Sequence, residues 1–205
     1  MGYYYRKEDE KWLIEICKGA VSAAHYKFQN TMIEGLRQYS VKMQWITSLP
    51  IGSFPVFSNK LFIKSKSYGN GYFESGFVNL PIIKNRNRFT QSFMQLRDFF
   101  KRANSVDATI IIIYDLSLPF LHSVYKARQQ GFSFKVVLVV PDLSGKFGIE
   151  YTGRNKIVSF IKKLQEKNLN IYIQNVDGFI LLTEAMKDAL SIQNKPCMIM
   201  EGLTT

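Results

Sequence analysis

Histidine and cysteine are scarce in this chain, which leaves few side chains from which a metal site could be built. The 205 residues include two of each, and neither His25 nor His122 has a Cys, His or carboxylate neighbour at metal-ligand spacing. Cys17 and Cys197 lie far apart in the sequence, and two thiols without an export signal fit a reducing cytosol. We therefore expect free cysteines, no metal site and no resident cofactor.

Long apolar runs and nucleotide-binding motifs are missing as well. The longest apolar stretch, residues 108–114, is far below the roughly 20 residues of a membrane span, and no signal peptide opens the chain. Neither a Walker A motif nor G-x-G-x-x-G after a strand occurs, and Gly69-Asn-Gly71 is typical of a turn. The lack of Gly-x-Ser-x-Gly argues against an α/β-hydrolase.

Acidic residues are outnumbered by basic ones. Twenty-seven Lys and Arg face sixteen Asp and Glu, for a net charge of +11. The excess is concentrated in residues 84–102 and 154–167, where apolar residues also recur at helical spacing. Two basic amphipathic helices are predicted, which are either solvated surfaces or binding faces for phospholipid head groups or nucleic acid. The side chains expected at a membrane are Arg86, Arg88, Arg97, Lys101, Arg102, Lys162 and Lys163.

Nucleic acid is the less favoured of these two partners. A single-strand binder interleaves aromatic side chains with Lys and Arg on an exposed surface. The aromatic residues here, such as Phe89, Phe93 and Phe100, lie instead at core spacing within the predicted helices.

Buried strands and helices alternate in the second half of the chain. Residues 108–114 and 135–140 are β-branched, apolar runs typical of central parallel strands. The segment between them predicts a helix over 117–130, with Ser117 as a possible N-cap residue and Gly131 as a C-terminal stop.

The last fifty residues continue the alternation. A basic helix is predicted over 154–167, followed by a short extended connector at 170–173. A buried strand over 178–182 then leads into a helix whose free N–H groups Thr183 can cap. Pro196 ends that helix, and a further strand follows over 197–200, so that strand, helix and strand form a right-handed crossover.

The first third is less regular. A helix is predicted over 22–39 and a strand over 43–48, whereas turn formers dominate residues 55–80 and indicate a small irregular β insertion. Only residues 1–5 precede the first charged segment, so either the fold begins with an unusually short strand or its natural beginning is absent. The predicted fold is α/β: a Rossmann-like, three-layer open parallel sheet with helices on both faces, in one domain over residues 1–205.

Ligands of open α/β sheets bind beyond the carboxyl ends of the strands. The predicted ends are 50–55, 114–119 and 141–145, so Asp115 and Asp142 are expected to face one crevice. Carboxylates there can bind sugar hydroxyls or act as a base, and the alternative is that they cap the loops that follow.

Seven segments together suggest a family. They are Ser22-Ala-Ala-His-Tyr-Lys-Phe-Gln29, Ile33-Glu-Gly-Leu36, Pro50-Ile-Gly-Ser-Phe-Pro55, Leu118-Pro-Phe120, Val139-Val-Pro-Asp-Leu143, Asp177-Gly-Phe-Ile-Leu-Leu-Thr-Glu-Ala-Met186 and Lys195-Pro196 to Glu201-Gly202. In order and spacing they resemble the N-terminal domain of family 4 glycosyltransferases, which are retaining, two-domain GT-B enzymes. The resemblance implies that this domain holds the acceptor and that a second domain binds the nucleotide-sugar. The acceptor contacts it implies are Ser22, Ala23, Ala24, Tyr26, Lys27, Pro50, Ile51, Gly52, Asp115 and Asp142.

The sequence also departs from that family. The donor domain is absent, with its basic residue and its Glu-x7-Glu pair, and the family's first strand and Gly-containing turn have no clear counterpart before Trp12. Ser144 stands where the family often has proline. The end of the chain resembles the exit of a domain, so an excised piece, a truncated product and one subunit of a two-chain transferase all remain open.

The function expected on this basis is acceptor binding for a glycosyltransferase of polysaccharide or lipid-linked glycan biosynthesis, inactive without a donor domain. The expected partners are a sugar or lipid-linked glycan acceptor, an anionic membrane surface and a donor-domain chain, and a nucleotide-sugar only once that domain is present. The expected location is cytoplasmic and peripheral on the inner face of the cell membrane. The alternative is a non-catalytic interaction or regulatory protein with the same fold.

Overall fold

Parallel strands and helices build both halves of this chain. A computed structural model describes residues 1–19, 23–39, 43–68, 71–102, 108–143, 164 and 167–201. These residues fall into two compact units, here called unit 1 (described residues up to 102) and unit 2 (described residues from 108).

Unit 1 is organised around a four-stranded sheet. Its order is β4-β5-β2-β1, in which β1, β2 and β5 are parallel and β4 is the antiparallel edge. A separate antiparallel pair, β3 with β6, lies within residues 55–80, where the sequence predicts a small β insertion. The elements are β1 (Gly2–Tyr3), a 3-10 turn (Lys7–Asp9), α1 (Glu10–Ile16), α2 (Ala23–Arg37), β2 (Trp45–Ser48), β3 (Phe62–Ile63), β4 (Lys66–Tyr68), β5 (Tyr72–Ser75), β6 (Phe77–Val78) and α3 (Ile83–Arg102).

The core of unit 1 lies where α1 meets the loop that follows β2. Leu13 and Leu49 are fully buried there, and Trp12 and Tyr26 pack against the same cluster. Trp45, at the start of β2, lies under the Arg37 guanidinium at 5.7 Å. Helix α3 packs on β2, β5 and β6, so the side chains of α3 that face inward reach the ends of those strands.

Unit 2 contains a fully parallel sheet. Its order is β10-β9-β8-β7, so each strand lies beside its neighbour in the sequence. The apolar runs of the sequence supply a core with side chains such as Ile113 and Leu138 that are entirely inaccessible to solvent. The elements are β7 (Ile110–Tyr114), α4 (Leu118–Gln129), β8 (Lys135–Val140), α5 (residues 167–174), β9 (Gly178–Leu181), α6 (Ala185–Leu190) and β10 (Cys197–Ile199).

Asp177 connects three elements of unit 2. Its carboxylate accepts hydrogen bonds from the Val136 N–H at 2.7 Å and from the Arg128 guanidinium of α4. Burial alone would raise the pKa of Asp177, but these donors hold it below its usual value. The carboxylate therefore stays ionised and fixes the start of β9 against β8 and α4.

The predicted α/β class is confirmed at the level of parallel sheets with helices. Residues 2–3 form a short strand that pairs in parallel with β2. The third parallel strand, β5, was missed, because it lies inside the turn-rich region assigned to an irregular insertion. The extended connector predicted at 170–173 was wrong, since residues 167–174 are helical.

Both predicted side-chain caps were wrong as well. The Ser117 hydroxyl, at the start of α4, makes no hydrogen bond. Helix α6 begins one residue later than expected, with Glu184 at the N-cap position and no side-chain cap. The predicted basic helix over 154–167 falls almost entirely outside the described residues.

Candidate functional site

Two basic side chains of α3 hold the carboxyl end of β2. Arg88 Nε donates to Ser48 Oγ at 2.9 Å, and Arg88 Nη2 donates to the Leu49 carbonyl at 2.6 Å. One turn earlier, Lys84 Nζ donates to the Ile51 carbonyl and to Ser53 Oγ, both at 3.0 Å. Positive charge thus lies directly beneath the loop that leaves β2, where α/β proteins bind ligands.

This pair of cations has no acidic counterpart in the part of the chain that the structure describes. Arg88 is only 3% exposed and lies over the rings of Tyr3 and Phe77, at 4.8 and 4.3 Å. Burial is the main cause that lowers the pKa of Lys84 to about 8, and the charge of Arg88 lowers it further. None of the ion pairs among the described residues includes either side chain.

Asn79 fastens the loop after β2 to the loop that precedes α3. Its side-chain amide donates to the carbonyls of Gly52 and Lys60, each at 3.0 Å, and its backbone carbonyl accepts from the Phe54 N–H at 2.8 Å. Gly52 is required here, because a Cβ at this position would lie 2.2 Å from Cβ of Phe57. The predicted acceptor residues Pro50, Ile51 and Gly52 therefore belong to one fixed edge with Lys84, called here the β2 edge.

Four large apolar side chains are exposed on the two loops of the β2 edge. Val56 and Phe57 are 64% and 51% exposed on the first loop, and Ile82 and Ile83 are 64% and 43% exposed on the second. Ile82 also has a φ of 68°, a left-handed conformation that costs a β-branched residue free energy. An exposed and strained isoleucine next to Lys84 is not explained by packing within unit 1.

The carboxyl edge of unit 2 carries the two predicted aspartates. Asp115 follows β7 with a φ of 70°, and its Oδ1 accepts from the Leu116 N–H at 2.6 Å. Asp142 lies two residues beyond β8, the neighbour of β7. Burial, followed by the charges of Asp115 and Asp142, raises the pKa of Tyr114, so both carboxylates lie within electrostatic range of one hydroxyl.

The other predicted acceptor residues are placed less clearly at an edge. Ser22 lies outside the described residues, and Ala23 and Ala24 belong to the first turn of α2, where side chains are not described. Tyr26 stacks on Tyr5 with a centroid separation of 4.3 Å, so it belongs to the packing of unit 1. Lys27 is exposed on α2.

The predicted membrane face needs one correction. Arg86, Lys101 and Arg102 are exposed on α3, and Arg97 is partly exposed. Arg88 lies in the interior, so it cannot contact a membrane surface. Its spacing from Arg86 in the sequence did not reveal that the Arg88 side chain points toward β2. Lys162 and Lys163 lie outside the described residues.

Sequence reasoning missed a cluster of ionisable side chains in unit 1. Glu74 of β5 is fully buried, neither carboxylate oxygen has a hydrogen-bond partner, and Lys66 Nζ lies 3.9 Å from Oε1. Lys66 in turn contacts Asp9 at 3.1 Å, and Asp9 contacts Arg6 at 3.3 Å. Burial is the main cause that raises the pKa of Glu74 to about 7. The available signal was that Glu74 is the single acid between Glu34 and Asp98.

The described residues contain no group of three or more His, Cys, Asp and Glu side chains placed to hold a metal ion. Cys17 and Cys197 are both free thiols. Within the same residues, none of the helices is both long enough and apolar enough to traverse a bilayer.

No protein-family model, curated protein or solved structure matches this chain. Its fold and edges define it as a parallel α/β protein with polar groups at the carboxyl ends of its strands.

Proposed function

We propose that the chain is the acceptor-binding half of a glycosyltransferase that acts in polysaccharide or lipid-linked glycan assembly. The observation that carries this proposal is that Asp115 and Asp142 follow the neighbouring parallel strands β7 and β8 at their carboxyl ends, within electrostatic range of one hydroxyl, that of Tyr114. Carboxylates at such an edge can accept hydrogen bonds from the hydroxyls of a sugar. The motif resemblance described above supports the same assignment.

The strand order within each unit supports a Rossmann-like, three-layer class. In unit 1 the parallel strands lie side by side in chain order, as β1, β2 and β5. In unit 2 they also lie in chain order, as β7, β8, β9 and β10. Each run, taken separately, has the order of one half of a doubly wound sheet.

In the proposed chemistry, these residues bind the acceptor and a donor domain binds the nucleotide-sugar. Asp115 and Asp142 orient acceptor hydroxyls, and a carboxylate among them can take the proton that the attacking hydroxyl loses. Stabilising the departing nucleotide diphosphate requires cationic groups or helix N-termini from a donor domain. We therefore expect no transfer by these 205 residues alone, and activity only once a donor domain is present at the cytoplasmic membrane surface.

Titration by calorimetry and ligand-observed NMR tests the assignment. A panel of oligosaccharide and glycan-diphosphate acceptor analogues is expected to include one that binds, and Asp142→Asn should weaken that binding about tenfold or more, since a charged hydrogen-bond acceptor is lost. Asp98→Asn, a change at a partly exposed position on α3, is the matched control and should leave binding unaltered. Micromolar binding of a uridine, guanosine or adenosine diphosphate-sugar would contradict the half-enzyme assignment.

A further inference from the structure

The β2 edge lies in a segment that has almost no negative charge. Residues 35–97 contain nine Lys and Arg but one acid, and that acid, Glu74, is paired with Lys66. Among the described cations of this segment, Lys84 and Arg88 are the two that lie beneath a strand end. Their hydrogen bonds go to carbonyl and hydroxyl oxygens, and no acidic side chain among the described residues pairs with either positive charge.

Such an arrangement is unfavourable unless something neutralises it. A buried cation is costly without a counter-ion, and two neighbouring cations repel one another. Lys84 also lies in the first turn of the twenty-residue helix α3, where the helix dipole already contributes positive potential. An ammonium group has three donors, of which Lys84 uses two for Ile51 and Ser53. One donor remains for an anion at this edge.

The surroundings of Lys84 indicate what kind of anion this is. Val56, Phe57, Ile82 and Ile83 present apolar surface on the two loops that Asn79 fastens together. A soluble phosphate or carboxylate gains nothing from such side chains, whereas a lipid head group is covered by apolar chains on one side. Exposed apolar residues beside basic ones are characteristic of proteins that lie in a membrane interface.

We propose that the β2 edge is a binding site for the phosphate group of an anionic membrane lipid. Lys84 Nζ and Ser53 Oγ contact the phosphate oxygens, Arg88 supplies the buried charge behind them, and Val56, Phe57, Ile82 and Ile83 enter the interface. This site goes beyond the proposed transferase function and does not depend on it, because it belongs to unit 1 and the aspartates belong to unit 2.

Vesicle co-sedimentation with charge-matched variants tests the proposal. Vesicles are made of phosphatidylcholine alone or of phosphatidylcholine with phosphatidic acid, and a separate arm follows thermal unfolding with inorganic phosphate. Lys84→Gln should weaken binding to the anionic vesicles about tenfold or more, as expected for loss of a charged hydrogen bond. Lys11→Gln removes the same charge from an exposed position on α1 and should cost less than about fivefold.

Ile82→Asn keeps the proposal testable if Lys84→Gln fails to fold. Asparagine tolerates a positive φ better than isoleucine, so this variant should be at least as stable as the wild type. Its binding to anionic vesicles should nevertheless fall several-fold, because an apolar side chain no longer enters the interface. Greater stability with weaker binding is the result that only an interfacial role predicts.

Three results would overturn the proposal. If Lys84→Gln and Lys11→Gln lose binding to anionic vesicles equally, the vesicles respond only to the net charge of the protein and not to a site at Lys84. Unchanged binding of Ile82→Asn would remove the apolar part of the site. Stabilisation of the wild type by inorganic phosphate, without binding to anionic vesicles, would assign Lys84 to a soluble phosphate ester instead of a lipid.

Discussion

At the scale of single residues, Glu74 is the side chain whose surroundings least suit its charge. It is fully buried, and its pKa is raised to about 7. The unfolded chain loses this proton near pH 4.5 while the folded chain keeps it, so the free energy of unfolding should fall as pH rises from about 4.5 to 7. Glu74→Gln should remove that fall and stabilise the protein by about 3 kcal/mol above pH 7, the free energy that corresponds to this pKa difference.

Urea denaturation at several pH values measures this difference. Below pH 4.5 the wild type and Glu74→Gln should be equally stable, because Glu74 is then protonated in both states. Glu34→Gln changes an exposed acid that pairs with Arg37 and serves as the control. A Glu74→Gln protein less stable than the wild type at pH 8 would show instead that the Lys66 pair outweighs the burial of Glu74.

Lys84 should produce the opposite pH dependence. Its pKa is about 8 in the folded protein and 10.5 in the unfolded chain, so only the unfolded chain is protonated between these values. The free energy of unfolding contributed by Lys84 should therefore rise from about pH 8 to pH 10.5. The measurement is the difference between the wild type and Lys84→Met, since other groups titrate in the same range. A constant difference over this range would contradict burial of a charged Lys84.

At the scale of elements, two glycines are predicted to respond oppositely to alanine. A Cβ at Gly76, between β5 and β6, would lie 2.4 Å from the Ser65 nitrogen and 2.6 Å from the Ile63 carbonyl oxygen. Gly76→Ala must therefore displace backbone and should destabilise the protein by about 2 kcal/mol or more. Gly35, inside α2, has open space around it, and Gly35→Ala should stabilise the protein by about 0.5–1 kcal/mol.

Thermal unfolding followed by circular dichroism compares the two variants. The opposite signs make the pair its own control, because both changes add the same methyl group. Equal melting temperatures for Gly76→Ala and the wild type would show that the β5–β6 junction yields more readily than its geometry indicates.

An element could be predicted from the sequence only where its residues fitted a single type of secondary structure. Strands β7 and β8 were predictable, because β-branched runs buried on both faces have no other common explanation. Strand β5 was not, since Tyr72 and Phe73 lie between turn formers that suggested an irregular loop. Helix α5 has buried Leu169, Tyr172 and Ile173 at helical spacing, so the helical pattern was present but too short to outweigh an extended assignment.

The site was predictable only in part, for a related reason. Carboxyl ends of strands mark Asp115, Asp142 and the loop after β2 as soon as the strands are known. The burial of Arg88 depends on where β2 ends beneath α3, and that is a tertiary property without a sequence signature. A basic helix therefore appeared to be uniformly solvated, although one of its arginines is interior.

At the scale of the whole molecule, the net charge of +11 should attract anionic surfaces in a manner that salt weakens. Exposed and buried cations should differ in this respect, because buried charges are screened much less. Replacing Lys101 and Arg102 with Gln should weaken adsorption at low salt and have little effect at physiological salt. Lys84→Gln should weaken adsorption at both salt concentrations. Vesicle co-sedimentation at low and at physiological salt measures the difference between the two sets of variants. Parallel loss of both effects with salt would place Lys84 among the ordinary surface charges.

The two tryptophans, Trp12 and Trp45, have a consequence for optical work on this molecule. Both belong to unit 1, and unit 2 has tyrosine and phenylalanine as its only aromatic side chains apart from His122. Indole emission is therefore a signal from one half of the chain, obtained without any dye or label on the protein. Energy transfer from these indoles to a dansyl-tagged lipid would report the approach of unit 1 to a bilayer. The aspartate edge of unit 2 would contribute no indole emission to that signal.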